Sequence, residues 1–453
     1  MRERDHVVRF IGHKGSIRSN SVATFVFKGV NVALVLLSTV LLARWLGPSG
    51  QGLYATTLFA WTVAISVLGF GVQWVNSSFT GRGDFTPEQI LSNSTLLLLC
   101  GTVLSFGLLL LTTQVRVAEL AGLPIDYIRL ILALTPFGIC VDALGGLLWG
   151  LNRVPFWAAV SMIASAGVSL LAVVVLVALM RLGVLGALMA WFCGQVTVLV
   201  VAARSLLPTV RLQFKLAPQL FRKSIWFGFR SNVTNLVGAL NFRFDLFLVL
   251  IVLGASQAGR YAVVVTVLQL LFFIPNSIAI ALRPVLASAT HERVVDLTTR
   301  SIRLSLATSA IGTVVLGLFA PHILRVFGQP YISALPALLW SLPGVALYST
   351  AFSTTVYWDS HARMPQVNLL IAALSLVLDV IGCLLLLPRL GLAGAGIAAS
   401  IGYSVAIGVS LWIFIQHAGV TSPKELILKR DDFRYFSSLV GRGPDSIKVT
   451  EPS

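Results

Sequence analysis

The chain has 453 residues, of which 57% are hydrophobic and 11% are charged, and its mean hydropathy is +0.89. Soluble domains carry about 25% charged residues, so this composition excludes an ordinary soluble protein and indicates an integral membrane protein. In a membrane protein, the positions of Lys and Arg indicate which loops are cytoplasmic. The net charge of +16 is therefore interpreted first as a sign of loop orientation and not of nucleic-acid binding.

Apolar segments of about 20 residues follow one another along the whole chain, and each is long enough to cross a bilayer as a helix. Twelve are predicted, at 22–45, 51–75, 91–113, 127–151, 156–180, 184–204, 224–254, 258–287, 303–326, 331–357, 365–388 and 392–416. The stretch before the first segment is too polar and too long for a signal peptide. We therefore expect an all-α membrane protein that retains its first helix.

Lys and Arg residues are distributed unequally between the two sides of the predicted bundle. Most fall in loops on the side of the N-terminus, and few fall on the other side: Arg44, Arg116, Arg129, Arg181, Arg260, Arg325 and Arg389. Cytoplasmic loops are enriched in these residues. We therefore predict that both termini are cytoplasmic and that the protein is a multi-pass protein of the bacterial inner membrane.

A ten-residue phrase occurs twice, as LGPSGQGLYA at 46–55 and LGASQAGRYA at 253–262, with an offset of 207. Other matches follow in the same order at similar offsets: 181–190 with 389–398, Pro136 with Pro343, Trp149 with Trp358, and Pro155 with Pro365. Duplication of six helices gives parallel halves related by an axis along the membrane normal. This architecture is typical of transporters that work by alternating access, although duplication as a merely stable bundle remains the alternative.

The repeat predicts the domain organisation. We expect a cytoplasmic basic tail at 1–20, an N-terminal lobe at 21–204, a cytoplasmic linker at 205–223, a C-terminal lobe at 224–417 and a cytoplasmic tail at 418–453.

Several ionisable residues lie within the predicted spans, where a charge is costly enough to suggest a function. They are Lys28, Asp142, Arg230, Arg243, Asp245, Arg283 and Asp379. Arg230 and Arg283 lie near predicted cytoplasmic ends, so anchoring at the interface is an alternative for them, as it is for Lys28. Asp142 and Asp379 are candidates for ion pairing or for proton binding, and the sequence leaves both open.

The seventh predicted helix carries a polar stripe at spacings of three and four residues: Ser231, Thr234, Asn235, Gly238, Asn241 and Asp245. Such a stripe is expected to line a central cavity, with tight helix packing as the alternative. Arg243 lies about 200° from Asp245 around the helix, so it should pair with another helix. Subtracting the offset of 207 maps the seventh helix onto the first. There, Lys28, Asn31 and Ser38 share the face that corresponds to the polar stripe.

Several segments together resemble the polysaccharide-export branch of the MOP superfamily: ARWLGPSGQGLYA, GLLWGLNR, FRFDLFLVLIVLGASQAGRYA, RPVLAS and FGQPYISALPALLWSLPG. The resemblance implies a V-shaped bundle of two six-helix lobes. It also implies a flippase that moves undecaprenyl-pyrophosphate-linked oligosaccharides to the periplasmic leaflet for O-antigen, capsule or exopolysaccharide assembly. The partners implied are that lipid-linked substrate, the bilayer and polysaccharide polymerase or export machinery, with no nucleic acid.

The resemblance also implies roles for the predicted cavity residues. Cations would bind the pyrophosphate, and the matching candidates are Lys28 and Arg243, with Arg230 and Arg283 as further ones; the side chains of Asn31, Asn235 and Asn241 would complete the polar lining. Related multidrug exporters of the MATE type use a cavity acid for Na⁺ or H⁺ coupling. Asp245 is the candidate here, although no matching acid lies on the first helix.

Two other classes of function make different demands on the sequence. A MATE-like cation-coupled multidrug antiporter predicts that cavity acids dominate over cations. A membrane-bound enzyme needs catalytic groups in an external site, but the longest predicted external loop, 113–126, offers only Glu119 and Asp126. No nucleotide-binding motif and no histidine pair at metal-ligand spacing is present, so we expect neither an enzyme nor a resident cofactor.

Overall fold

The computed structural model of the protein describes residues 17–114, 122–206, 208, 210 and 218–419. Regular structure within these residues is entirely helical, which confirms the all-α fold class. The two predicted tails lie outside the described residues, apart from 17–20 and 418–419.

The first two predicted spans form one continuous helical stretch, Ile17–Leu68, that is broken only at Gly47. We name its parts α1 (17–46) and α2 (48–68), and Val72–Arg82 continues α2 after a short turn. The other helices are α3 (Pro87–Gln114), α4 (Ile125–Gly150), α5 (Val154–Leu179), α6 (Gly183–Leu206), α7 (Pro218–Leu253), α8 (255–288), α9 (His291–Phe327), α10 (Gln329–His361), α11 (Pro365–Leu390) and α12 (Leu392–Ala418).

Eleven stretches within the described residues are long and apolar enough to cross a membrane, and the first of them, Gly29–Leu68, contains parts of both α1 and α2. Dividing it at Gly47 gives the twelve helices that the hydropathy predicts. Helices α1–α6 form the N-terminal half and α7–α12 the C-terminal half.

Both copies of the repeated phrase have the same backbone conformation. Gly47 has φ 66° and ψ 178°, and Gly254 has φ 84° and ψ 172°. A residue with a Cβ rarely adopts such a positive φ, whereas glycine does so at little cost. The phrase therefore ends the first helix of each half and starts the second almost without a loop.

Several helices extend beyond their apolar spans. Helix α9 begins at His291, twelve residues before the predicted 303, and α7 begins at Pro218, before the predicted 224. Hydropathy marks the part of a helix that lies in hydrocarbon, and a helix can continue with polar residues outside it. Helix α8 is tightened by a 3₁₀ turn at Gln269–Phe272, and α5 contains two π-helical stretches.

The two halves meet where the repeated phrases lie, at the end of the bundle that we call the turn side. Gly52 of α2 and Gly259 of α8 let the two backbones touch, because a Cβ on Gly259 would overlap the carbonyl oxygen of Pro48. The Tyr331 hydroxyl donates to the carbonyl of Ala43 at 3.0 Å. The contact thus joins the two repeats through equivalent glycines.

The halves also meet at the opposite end, which we call the terminal side because α1 begins and α12 ends there. Gly228 of α7 packs against the carbonyl of Phe70 in the turn within α2. The amide of Asn232 donates to the carbonyl of Ser66, and the amide of Asn93 on α3 donates to Ser224 Oγ of α7 at 2.9 Å. Helix α7 therefore belongs to one half by sequence and packs partly on the other.

Candidate functional site

A buried carboxylate on α7 is the most specifically held of the predicted site residues. Asp245 is 4% exposed. The Tyr261 hydroxyl of α8 donates to its Oδ2 at 2.6 Å, and the backbone N–H of Leu246 donates to its Oδ1 at 2.7 Å. Both oxygens are therefore oriented by donors, as expected for a carboxylate that acts at a fixed position.

A second buried carboxylate lies close enough to Asp245 to interact with it electrostatically. Asp379 of α11 is 2% exposed, and Cys383 Sγ, one turn further on, donates to its Oδ1 at 3.7 Å. Burying two negative charges together is expensive unless a proton or a cation neutralises at least one of them. The pair is therefore suited to bind a proton or a small cation.

Tyrosines surround the acid pair, and sequence reasoning missed them. The Tyr403 hydroxyl donates to the carbonyl of Asn241 at 3.2 Å, and the Asn241 amide donates to the Tyr348 hydroxyl at 3.1 Å. A tyrosine within an apolar helix usually packs as a large apolar residue. The spacing of these tyrosines in the sequence therefore did not indicate a role beside the acids. One signal was available for Tyr261, because it belongs to the repeated phrase.

A small cavity adjoins Asp245 and is lined by both polar and apolar groups. Its polar side chains come from Asp245, Tyr261, Gln269, Ser341 and Tyr403. A small ion or water in this cavity would contact the carboxylate directly. Asp245 is thus buried but still borders a space that a small polar species could occupy.

Arg243 contacts the helix next to its own, as its spacing predicted. Its Nη2 donates to Gln269 Oε1 of α8 at 3.4 Å, and it also feels the charge of Asp245. Arg243 and Asp245 thus lie on different faces of α7 and still belong to one electrostatic cluster. Gln269 lines the cavity as well, so the arginine lies at its edge.

The other predicted ligands on α7 lie away from this cluster, towards the terminal side. Arg230 is exposed and lies over the ring of Trp226 at 5.8 Å, and Asn235 is exposed and donates to the carbonyl of Ser231 at 2.7 Å. Only Asn241 of the predicted asparagines reaches the acid cluster. The polar stripe is therefore buried at one end and exposed at the other.

The remaining predicted residues are dispersed. Arg283 is exposed near the end of α8, Asn31 is half-buried on α1, and Asp142 is half-buried on α4 of the N-terminal half. The side chain of Lys28 lies outside the described residues. Asp142 is thus in the other half from the acid pair, which leaves Asp245 and Asp379 as the acids that the fold brings together.

The acid pair occurs in one half of the repeat. At the repeat offsets, Asp245 corresponds to Ser38 and Asp379 to Leu171, whereas Tyr261 corresponds to Tyr54. The scaffold was duplicated and the charged cluster is confined to the second copy. Within the described residues, no group of three or more His, Cys, Asp or Glu side chains is arranged to hold a metal ion.

The chain is similar in sequence to a known family and to a known protein. The family model described as "Polysaccharide biosynthesis protein" matches residues 17–290. The chain is 28% identical over 178 residues to a protein of Bacillus subtilis (strain 168) described as "Uncharacterized membrane protein EpsK". That alignment covers 37% of this chain and 34% of the relative, so the chain spans about a third of the curated protein it matches.

Solved structures of transporters have the same fold. An inward-facing multidrug resistance MATE family transporter of the MOP superfamily superposes with a TM-score of 0.69 and 18% identity, over 88% of this chain and 99% of that one. An outward-facing conformation of such a transporter gives a TM-score of 0.65 and 18% identity, over 90% and 98%. At this level of identity, the likeness shows the fold alone.

Proposed function

The chain belongs to the polysaccharide biosynthesis protein family, and from this we propose that it is a flippase for undecaprenyl-pyrophosphate-linked oligosaccharides. The observation that carries the proposal is the family match across 17–290 on a two-half transporter fold. The flippase moves its substrate from the cytoplasmic to the periplasmic leaflet. The product serves O-antigen, capsule or exopolysaccharide assembly, where polymerase or export machinery takes it up.

The physical problem that such a protein solves is the polarity of the substrate head. A pyrophosphate with attached sugars cannot cross hydrocarbon unaided, because no group there replaces its hydration. A path between the halves must therefore be wet and positively charged, while the prenyl chain stays in lipid. Lys28, Arg230, Arg243 and Arg283 supply the positive charge in this proposal, and Asn31, Asn235 and Asn241 supply neutral hydrogen bonds.

The acid pair supplies the coupling to an ion gradient. A proton or Na⁺ at Asp245 and Asp379 removes the cost of two buried negative charges, and its release restores that cost. The occupancy of the pair thereby biases the packing of α7, α8 and α11, and with it the equilibrium between conformations open to either side. With both termini cytoplasmic, the terminal side faces the cytoplasm of a bacterial cell and the turn side faces the periplasm.

The proposal is tested with the double variant Lys28→Ala/Arg243→Ala. We expect lipid-linked oligosaccharide to accumulate on the cytoplasmic leaflet and export to fall by about tenfold or more, since removing a hydrogen bond between charged groups costs roughly 1.5–3 kcal/mol. The matched control is Arg129→Ala, an arginine paired with Asp126 at the turn-side end of α4. Export at the wild-type level in the double variant would show that these cations do not bind the substrate.

A multidrug antiporter is the second candidate, because the acid pair is the most specifically held polar group of the fold. That function predicts that cells expressing the protein expel a cationic dye such as ethidium and that Asp245→Asn abolishes the efflux. The flippase predicts no dye efflux, and a loss of polysaccharide export from the same substitution.

A further inference from the structure

The second half of α10 carries a row of polar side chains through the interior of the C-terminal half. The row runs from the acid cluster to the terminal side: Tyr348, Ser349, Ser353, Thr354, Tyr357 and His361. Among these, Ser349, Ser353, Thr354 and Tyr357 are at most 2% exposed. Hydroxyl groups so deep in a membrane protein need partners.

Two hydroxyls of this row, those of Ser349 and Ser353, contact the neighbouring helix α9. Ser353 Oγ lies 2.7 Å from Ser301 Oγ and 3.3 Å from Ser305 Oγ, and either oxygen of each pair can donate. Ser349 Oγ donates to the carbonyl of Ala346 on its own helix at 2.7 Å and lies 3.3 Å from the carbonyl of Ser305 on α9. The result is a run of hydroxyls along the α9–α10 contact.

The run continues to α12 and to imidazoles at the terminal side. Ser410 Oγ of α12 donates to Thr354 Oγ1 at 3.3 Å. One turn further on, the Tyr357 hydroxyl lies 2.9 Å from His417 Nδ1. His361 Nε2 of α10 lies 3.0 Å from His291 Nδ1 of α9. The three histidines therefore lie together where α9 begins and where α10 and α12 end.

The other end of the run reaches the acid pair. The hydroxyl of Tyr348 accepts from Asn241, whose carbonyl accepts from Tyr403, and the rings of Tyr348 and Tyr403 are 4.5 Å apart. Tyr403 and Asp245 line the same small cavity. The polar groups of α10 thus extend from the cavity beside the carboxylates to the histidines.

We propose that this row is a proton path between the Asp245–Asp379 pair and the terminal side, running inside the C-terminal half and separate from the route of the substrate. The proposal rests on the flippase function above and names the coupling ion as a proton. It implies that the pair discharges into the cytoplasm without opening the space between the halves.

The transfer makes and breaks O–H and N–H bonds only. A carboxyl group gives its proton to cavity water or a tyrosine oxygen, and each following hydroxyl or bridging water accepts one proton on its oxygen as it gives up its own. An imidazole nitrogen takes the last proton and releases one to cytoplasmic water. Imidazole suits this position because its ordinary pKa is near physiological pH.

Within the described residues, no side-chain hydrogen bond joins one member of the row directly to the next; the members bond to partners on α7, α9 and α12 instead. The buried hydroxyls of Thr298 and Ser309, one turn to either side of Ser301 and Ser305 on α9, have no hydrogen-bond partner within the described residues. Buried polar groups of this kind hold bridging water. Water at such positions would bridge parts of the path, and the proposal requires water at every step between successive members of the row.

Charged groups of the surrounding helices set the field on this path. At the acid end, Arg243 of α7 interacts electrostatically with Asp245. At the histidine end, Asp359 of α10 accepts from Asn368 of α11 at 2.8 Å and interacts with Arg283 of α8. On α9, Glu292 and Arg293 are exposed beside His291, and Arg303 is buried beyond Ser301. The acid end thus has the Asp245–Asp379 pair with Arg243 near it, and the histidine end has Asp359 with Arg283 near it and Glu292 exposed beside His291.

The test measures proton flux and substrate flipping together in liposomes that hold the full chain and the pH dye pyranine. The probe is the pool of undecaprenyl-pyrophosphate-linked glycan extracted from cells that lack this transporter. We expect Ser353→Ala and Tyr357→Phe to slow both fluxes by about tenfold, a barrier increase of roughly 1.4 kcal/mol. Asp245→Asn is expected to abolish proton flux.

The matched control is Thr350→Val. Thr350 lies on the same helix and is 1% exposed, but its hydroxyl bonds to the carbonyl of Leu347 on its own helix. Wild-type rates for Thr350→Val together with slow rates for Ser353→Ala support the path. Wild-type rates for both Ser353→Ala and Tyr357→Phe, with Asp245→Asn inactive, overturn the path and leave the flippase standing.

A chemical rescue separates proton transfer from helix packing. We expect His361→Ala/His417→Ala to transport slowly and to recover when imidazole buffer is added at the terminal side, because free imidazole replaces the missing proton acceptor. Slow transport without recovery would assign the histidines to packing and overturn their role. Glycan flipping driven by a Na⁺ gradient with no pH change would overturn the proton path, and absence of flipping by the wild-type chain would overturn the flippase as well.

Discussion

At the scale of single residues, Tyr261 shows how the two copies of the repeat came to differ. Its counterpart Tyr54 occupies the same place in the first copy of the phrase, but position 38 is a serine where position 245 is an aspartate. The hydroxyl of Tyr261 therefore donates to a carboxylate at 2.6 Å. The aspartate at position 245 gives Tyr261 a carboxylate as hydrogen-bond acceptor, which the serine at position 38 does not offer Tyr54.

We expect Tyr261→Phe to lower the free energy of unfolding by about 1.5–3 kcal/mol, the usual worth of a buried hydrogen bond to a charged group. The same substitution at Tyr54 is the control and should change stability less. Thermal unfolding of both variants in detergent measures the difference. Equal destabilisation by the two substitutions would show that the carboxylate gains little from the hydroxyl.

At the scale of helices, the contact between α2 and α8 depends on glycine. Gly52 and Gly259 lie at equivalent places in the two copies, and each accepts the backbone of the other helix where a side chain would stand. Small residues at a helix crossing in a membrane allow close packing. The turn side therefore closes by direct contact between repeats.

Gly259→Ala is predicted to loosen the turn side, because overpacking costs roughly 1–3 kcal/mol and the backbone of α2 must move. The readout is labelling of Ala55→Cys by a maleimide that cannot cross the membrane, with the exposed Cys100 and Cys193 replaced. Labelling should rise relative to the parent. Gly107→Ala is the control, since a Cβ there meets nothing within 4 Å, and a rise of the same size in it would contradict the assignment.

At the scale of the whole molecule, the two halves touch at both ends, so the alternating access of the proposed function requires one contact to break at a time. The terminal-side contact includes the 2.9 Å hydrogen bond between Asn93 and Ser224, which joins α3 of one half to α7 of the other. Opening at the terminal side requires this bond to break. Opening at the turn side requires the glycine contact to part.

A disulfide across the terminal side should therefore stop transport. We expect Asn93→Cys/Ser224→Cys to lose about 90% or more of glycan flipping on oxidation, since a covalent link far exceeds the few kcal/mol that separate conformations, and to recover on reduction. Asn76→Cys/Ser94→Cys is the matched control, because those side chains are also 2.9 Å apart but lie within one half. Full activity of the oxidised Asn93–Ser224 pair would show that this side does not open.

The sequence by itself determined the helices, their number and the duplication. A bilayer sets the length of each apolar run, and the glycines Gly47 and Gly254 mark the same turn in both copies, so local patterns were sufficient. It also singled out Asp245, because a charge in an apolar run is costly wherever the helix packs. The helix ends were less well predicted, since α9 continues to His291 outside the apolar span.

The tertiary structure decided which of these residues meet. Asp379 joins Asp245 although 134 positions separate them, while Asp142, which the sequence ranked equally, lies in the other half. The tyrosines around the pair and the hydroxyl row of α10 were likewise not predicted. Such contacts depend on how helices cross and rotate against each other, and hydropathy, which reports each helix against lipid, contains no information on that geometry.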